Sequence, residues 1–90
     1  MLSFDDILLD GALLSSIDSM ILRTTSDLAR LVRERRRELG LTQEELANLT
    51  ALHRTSISLF ERGKRMGGLD SILRIVNTLG MDLEVRTRGR

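Results

Sequence analysis

The segment GLTQEELANLTALHRTSISLFERG, from Gly40 to Gly63, restricts this chain to very few folds, because it compresses two short helix patterns around one tight turn. Thr42 followed three residues later by Glu45 is a capping box, in which each side chain satisfies a backbone N–H at the helix start. The helix it opens points Leu46, Ala47 and Leu49 inward, with Ala47 small where two helices must cross closely. Thr50, Ala51 and Leu52 make the turn. The next helix runs from about Arg54 to Arg62, buries Ile57 and Phe60, turns Arg54, Thr55, Ser58 and Leu59 outward, and stops at Gly63. This order is a helix-turn-helix, the geometry that lays its second helix in the major groove of DNA.

The flanking residues predict more helix. Ser26 is read as the N-cap of a helix from about Asp27 to Leu39, with Leu28, Leu31, Val32 and Leu39 as its buried stripe and the aliphatic stem of Arg35 laid along it. Gly40 ends that helix. A last helix, about Leu69 to Leu79, turns Leu69, Ile72, Leu73, Ile75, Val76 and Leu79 toward the core and closes at Gly80. Ninety residues allow one modest core, and the absence of Pro with only two Phe as aromatics favours a bundle packed with aliphatic side chains.

Beyond Gly80 the pattern changes period. Met81, Leu83, Val85 and Thr87 alternate with Asp82, Glu84, Arg86 and Arg88, as in a half-buried strand. A strand needs a ladder, and the only other strand-like piece is Met20 to Thr24. The economical solution is a homodimer in which two tails pair through Met81, Leu83 and Val85 across a two-fold axis, flanked by residues 20–24. A frayed tail docked on its own domain is the alternative. The expected architecture is therefore an all-α helix-turn-helix bundle with a C-terminal β-strand: residues 1–25 an appendage and possible short strand, 26–80 the helix-turn-helix domain, 81–90 the dimerisation strand.

Charge is unevenly spread. Residues 1–19 hold four acids and no Lys or Arg, so residues 20–90 carry all 14 basic residues against nine acids, a net of +5. A basic body suits a phosphate backbone, although a charge excess alone is commonly a solvated face. Phe4, Ile7, Leu8, then Leu13, Leu14, Ile17 and Ile21 sit at helical spacings on either side of Gly11, as two short amphipathic pieces that pack on the body or a partner, or else a poorly ordered leader.

The runs LGLTQEELA and RTSISLFERGK resemble the Cro/C1-type (XRE) helix-turn-helix of phage repressors and bacterial antitoxins over roughly residues 27–80. Two positions depart from that pattern: Ala51 stands where the family usually has Gly, and His53 where a Ser or Thr usually caps the second helix. A left-handed Ala51 would cost about 1 kcal/mol. The opening SDLARLVRERRRELG and the closing LDSILRIVNTLGMDLEVR are most similar to HipB-type antitoxins. That resemblance implies a homodimeric repressor that binds an inverted-repeat operator in double-stranded DNA and holds a HipA-type kinase toxin. A stand-alone XRE regulator without a toxin shares much of the pattern.

Arg54 and Thr55, at the exposed start of the second helix, are the leading candidates for base contacts, with Ser58 and Leu59 one turn on. Arg54 suits guanine or, alternatively, phosphate, and Leu59 suits a thymine methyl. Thr55 and Ser56 can serve instead as capping residues. Arg62, Lys64 and Arg65 are candidates for phosphate or for plain surface. Gln43 matches a family position that commonly binds phosphate, and Arg36 and Glu61 match positions that form a partly buried ion pair. His53, the only histidine, is a turn residue or a phosphate contact. Glu44 and Glu45 diverge on their helix and no Cys is present, so the residues suggest no catalysis, metal or cofactor. Without a signal peptide or long apolar run, a cytoplasmic protein clear of the membrane is expected.

Overall fold

The computed structural model describes residues 20–89, which form four helices: α1 (Thr25–Glu38), α2 (Gln43–Thr50), α3 (Arg54–Glu61) and α4 (Leu69–Thr78). Their shared core is Leu28, Val32, Leu46, Ala47, Ile57, Phe60, Ile75, Val76 and Leu79. Leu22, Leu41, Leu52, Met66, Ile72 and Met81 pack around it, half buried. Of the amphipathic pieces expected between Phe4 and Ile21, residues 4–17 lie outside the described residues, and Ile21 is in no helix and 74% exposed.

α1 begins at Thr25 and not at Asp27, because Thr24 and not Ser26 is its cap. The Thr24 hydroxyl accepts from the Asp27 N–H at 3.1 Å, and the Asp27 carboxylate accepts from the N–H groups of Thr24 (3.1 Å) and Arg23 (2.9 Å). Ser26 could not complete such a box, since Ala29 stands three residues after it. The Arg23 N–H bond, aided by the bonds to Thr24 and by the nearby Arg30 charge, holds the Asp27 carboxyl below its ordinary pKa of 3.8, against the opposing effect of desolvation. Stability from a depressed carboxyl is present above the ordinary value and is lost as pH falls through the folded one. Asp27→Asn is expected to lower stability at neutral pH and to converge with the unchanged protein in acid, which thermal melts across a pH series would read.

All four helices close alike. Just past the end of each helix one residue turns left-handed, the second residue after α1, α3 and α4, and two backbone bonds return to the last turn: Gly40 to Arg37 and Leu41 to Arg36, Gly63 to Phe60 and Lys64 to Leu59, Gly80 to Asn77 and Met81 to Val76. α2 does the same through Ala51 and Leu52, which donate to Asn48 and Ala47, with Ala51 at φ 59°. Ala51 is the only non-glycine residue with positive φ among the described residues. Its Cβ is strained there, so Ala51→Gly should stabilise the fold by about 0.5–1 kcal/mol and raise the melting temperature by a few degrees.

Three expected core residues face water. Leu49 is 62% exposed, because the inward stripe of α2 is Leu46, Ala47 and Thr50, with Leu49 on its flank. Thr50 is tolerated inside because its hydroxyl donates to the Leu46 carbonyl at 2.8 Å. Leu69, at 61%, stands at the first turn of α4 beyond the edge of the core, and Leu39 has passed the end of α1. Arg35 does more than lay its stem on α1: its Nε donates to the Leu79 carbonyl at the end of α4 (2.9 Å), and its Nη1 pairs with Glu38 (2.8 Å).

No strand forms among the described residues. Met81 packs on the core, whereas Leu83 is exposed and Val85 is 92% exposed. Neither the tail nor residues 20–24 pairs in the single chain, because neither meets a backbone ladder.

Candidate nucleic-acid interface

α2 and α3 build the candidate surface. The capping box expected at α2 forms, with Thr42 Oγ1 accepting from the Glu45 N–H (3.0 Å) and Glu45 Oε1 accepting from the Thr42 N–H (2.8 Å). α3 has a weaker start, since His53 occupies the N-cap without a side-chain hydrogen bond and lies exposed. Helical spacing divides α3 sharply: Ile57, Phe60 and Glu61 are buried, while Thr55, Leu59 and Arg62 project from the opposite side with Ser58 beside them. Arg54 and Thr55 are exposed, and Ser58 and Leu59 are half buried. Ser56 lies elsewhere. With Phe60, Arg65, Met66 and Ser71 it borders a small open cleft of about 80 Å³ between α3 and α4.

The inner side of α3 is fixed by a bidentate pair. Arg36 donates through Nε to Glu61 Oε2 at 2.6 Å and through Nη2 to Glu61 Oε1 at 2.8 Å, with both side chains almost wholly buried. The Glu61 hydrogen bonds hold the Arg36 guanidinium above its ordinary pKa, outweighing the contrary effect of burial. Nη1 of the same guanidinium donates to the Leu41 carbonyl at 2.8 Å, and Gln43 Nε2 donates to Glu61 Oε1 at 3.2 Å. One cation thus ties α1 to the α1–α2 turn, to the end of α3 and, through Glu61, to the first residue of α2.

Three arginines are tied to the backbone of other elements, although only Arg36 is buried. Arg35, Arg36 and Arg74 all donate to main-chain carbonyls, Arg74 to that of Thr50 at 3.1 Å. Arg54, Arg62, Lys64 and Arg65 are exposed and make no ion pair with a described residue. An anion approaching α3 therefore meets cations that no carboxylate among the described residues pairs with. Periodicity missed the Gln43–Glu61 bond and the Arg35 and Arg74 contacts, for it reports which face a residue occupies and not what it reaches on another helix. Among the described residues, no cluster of His, Asp or Glu could hold a metal ion, and no helix is long and apolar enough to cross a membrane.

Two short helices at a left-handed turn, the second braced within and cationic without, define a helix-turn-helix module. The chain belongs to the helix-turn-helix domain family, which it matches over residues 27–88. It is 44% identical over 52 residues to an uncharacterized HTH-type transcriptional regulator of Methanothermobacter thermautotrophicus, a match covering 58% of this chain and 75% of that one. It is 31% identical over 68 residues to the uncharacterized HTH-type transcriptional regulator y4mF of Sinorhizobium fredii, covering 76% and 90% respectively.

Proposed function

We propose that this chain is a DNA-binding transcription regulator: a sequence-specific repressor that binds an inverted-repeat operator as a homodimer and serves as antitoxin to a HipA-type kinase. The observation that supports DNA binding is the outer side of α3, where exposed Arg54 and Thr55 stand at the amino end and Arg62, Lys64 and Arg65 follow the carboxyl end with no ion pair to a described residue. In this reading Arg54 contacts guanine O6 and N7, Thr55 and Ser58 reach neighbouring bases, and Leu59 packs on a thymine methyl. Gln43, His53, Arg62, Lys64 and Arg65 lie along the sugar–phosphate backbone, whereas Ser56, at the cleft between α3 and α4, is left out of the contacts.

Met81, Leu83 and Val85 supply the dimer contact, and exposed Leu83 and Val85 favour a second copy as partner. The toxin is the finest part of the reading and rests on the resemblance of residues 26–40 and 69–86 to HipB-type antitoxins. Co-purification with the product of the adjacent gene tests it, and a neighbour that never associates leaves a regulator without a toxin.

Arg54→Ala should cost about 1–3 kcal/mol per half-site and relax preference at one symmetric base position. Lys64→Ala should weaken every sequence alike and flatten the salt dependence. Binding to the promoter duplex and to a scrambled duplex across a salt series separates the two. An unchanged sequence preference in Arg54→Ala would move Arg54 to the phosphate group.

A further inference from the structure

We infer that Glu61 is a positioning residue for Gln43: the buried carboxylate that receives Arg36 also sets the Gln43 carboxamide in the orientation needed to meet a DNA phosphate. The inference rests on the reading of Gln43 as a phosphate contact. Its geometric basis is the 3.2 Å bond from Gln43 Nε2 to Glu61 Oε1, on a carboxylate already fixed by Arg36 at 2.6 and 2.8 Å. A carboxylate only accepts, so the amide nitrogen and not the amide oxygen must face it. One N–H is thereby committed inward, and the second stays with the half-buried outer edge of the group.

Gln43 is also the first residue of α2, where the backbone N–H groups of Gln43 and Glu44 have no intrahelical acceptor. The held amide and these N–H groups present hydrogen-bond donors on one helix end, and a phosphate oxygen meets donors whose ordering cost has already been met in folding. Because Glu61 is the last residue of α3, the same contact fixes the backbone grip at α2 relative to the base-reading helix.

The test uses random-sequence duplex DNA, for which a phosphate contact is sufficient. Gln43→Ala should weaken binding about three- to tenfold with the salt slope unchanged, since a neutral side chain displaces no counterion. Replacing the ion pair by apolar groups in Arg36→Met with Glu61→Leu removes the carboxylate without leaving a buried charge behind. In a folded variant of that kind, Gln43→Ala should cost less than twofold. An equal loss in both backgrounds would overturn the positioning role.

A readout on the unaltered protein does not depend on the double variant folding. By nuclear magnetic resonance, the Gln43 side-chain amide should already be as ordered as the α2 backbone before DNA is added. An amide that orders only with DNA would overturn the inference while leaving the phosphate contact itself intact. Unchanged binding by Gln43→Ala would overturn both, and Arg54→Ala would still decide base reading separately.

Discussion

Glu61→Ala is expected to lower the free energy of unfolding by about 3–5 kcal/mol, a large part of the total for so small a domain. The substitution leaves Arg36 almost wholly buried with its charge unmatched, since the remaining bond to the Leu41 carbonyl satisfies one nitrogen and neutralises nothing. Gln43 loses its inner partner in the same step. Arg36→Met with Glu61→Leu should cost far less, because removing both charges also removes the need to desolvate them. Urea denaturation of the two variants makes the comparison, and equal losses would mean that lost packing, not an orphaned charge, dominates.

The second large effect concerns assembly. Leu83→Asp with Val85→Asp is expected to yield a folded monomer that binds operator DNA on the order of a hundredfold more weakly, because the second half-site ceases to be held at high effective concentration. The fold should survive, for both positions are exposed and the core contact of the tail ends at Met81. Sedimentation gives the oligomeric state and gel-shift titration the affinity. A double aspartate variant that still sediments as a dimer would place the dimer contact elsewhere.

The helix-turn-helix was legible because its boundaries are written locally. Thr42 with Glu45, and Gly63 after Glu61, act within one turn of the residues they order, so sequence neighbours alone reveal them. The errors share a cause. Leu49 and Leu69 have core chemistry at positions where the bundle offers no neighbour, which a single helix pattern cannot disclose. The cap of α1 is a separate case: Ser26 and Thr24 are both N-cap residue types, but only Thr24 has a carboxylate three residues on to return the bond, a local signal that favours Thr24 from the start. The alternation from Met81 to Thr87 describes what the tail could pair with, whereas a ladder exists only once a partner is present. Arg36 and Glu61 lie 25 residues apart, so no periodicity joins them, and family resemblance was needed to consider them together. Gln43 and Glu61 had no comparable signal.

The two-helix unit also depends on its surroundings at each end. Arg74 from α4 donates to the last carbonyl of α2, and Arg36 from α1 holds both the turn before α2 and the last residue of α3. Moving the segment from Gly40 to Gly63 into another scaffold would leave these groups without their donors, so the segment is not a portable cassette. Under the proposed readout, new binding preferences are reached by exchanging Arg54, Thr55, Ser58 and Leu59 in place. None of the four carries one of these tethers, so a variant library confined to them is expected to change the preferred duplex while keeping the fold.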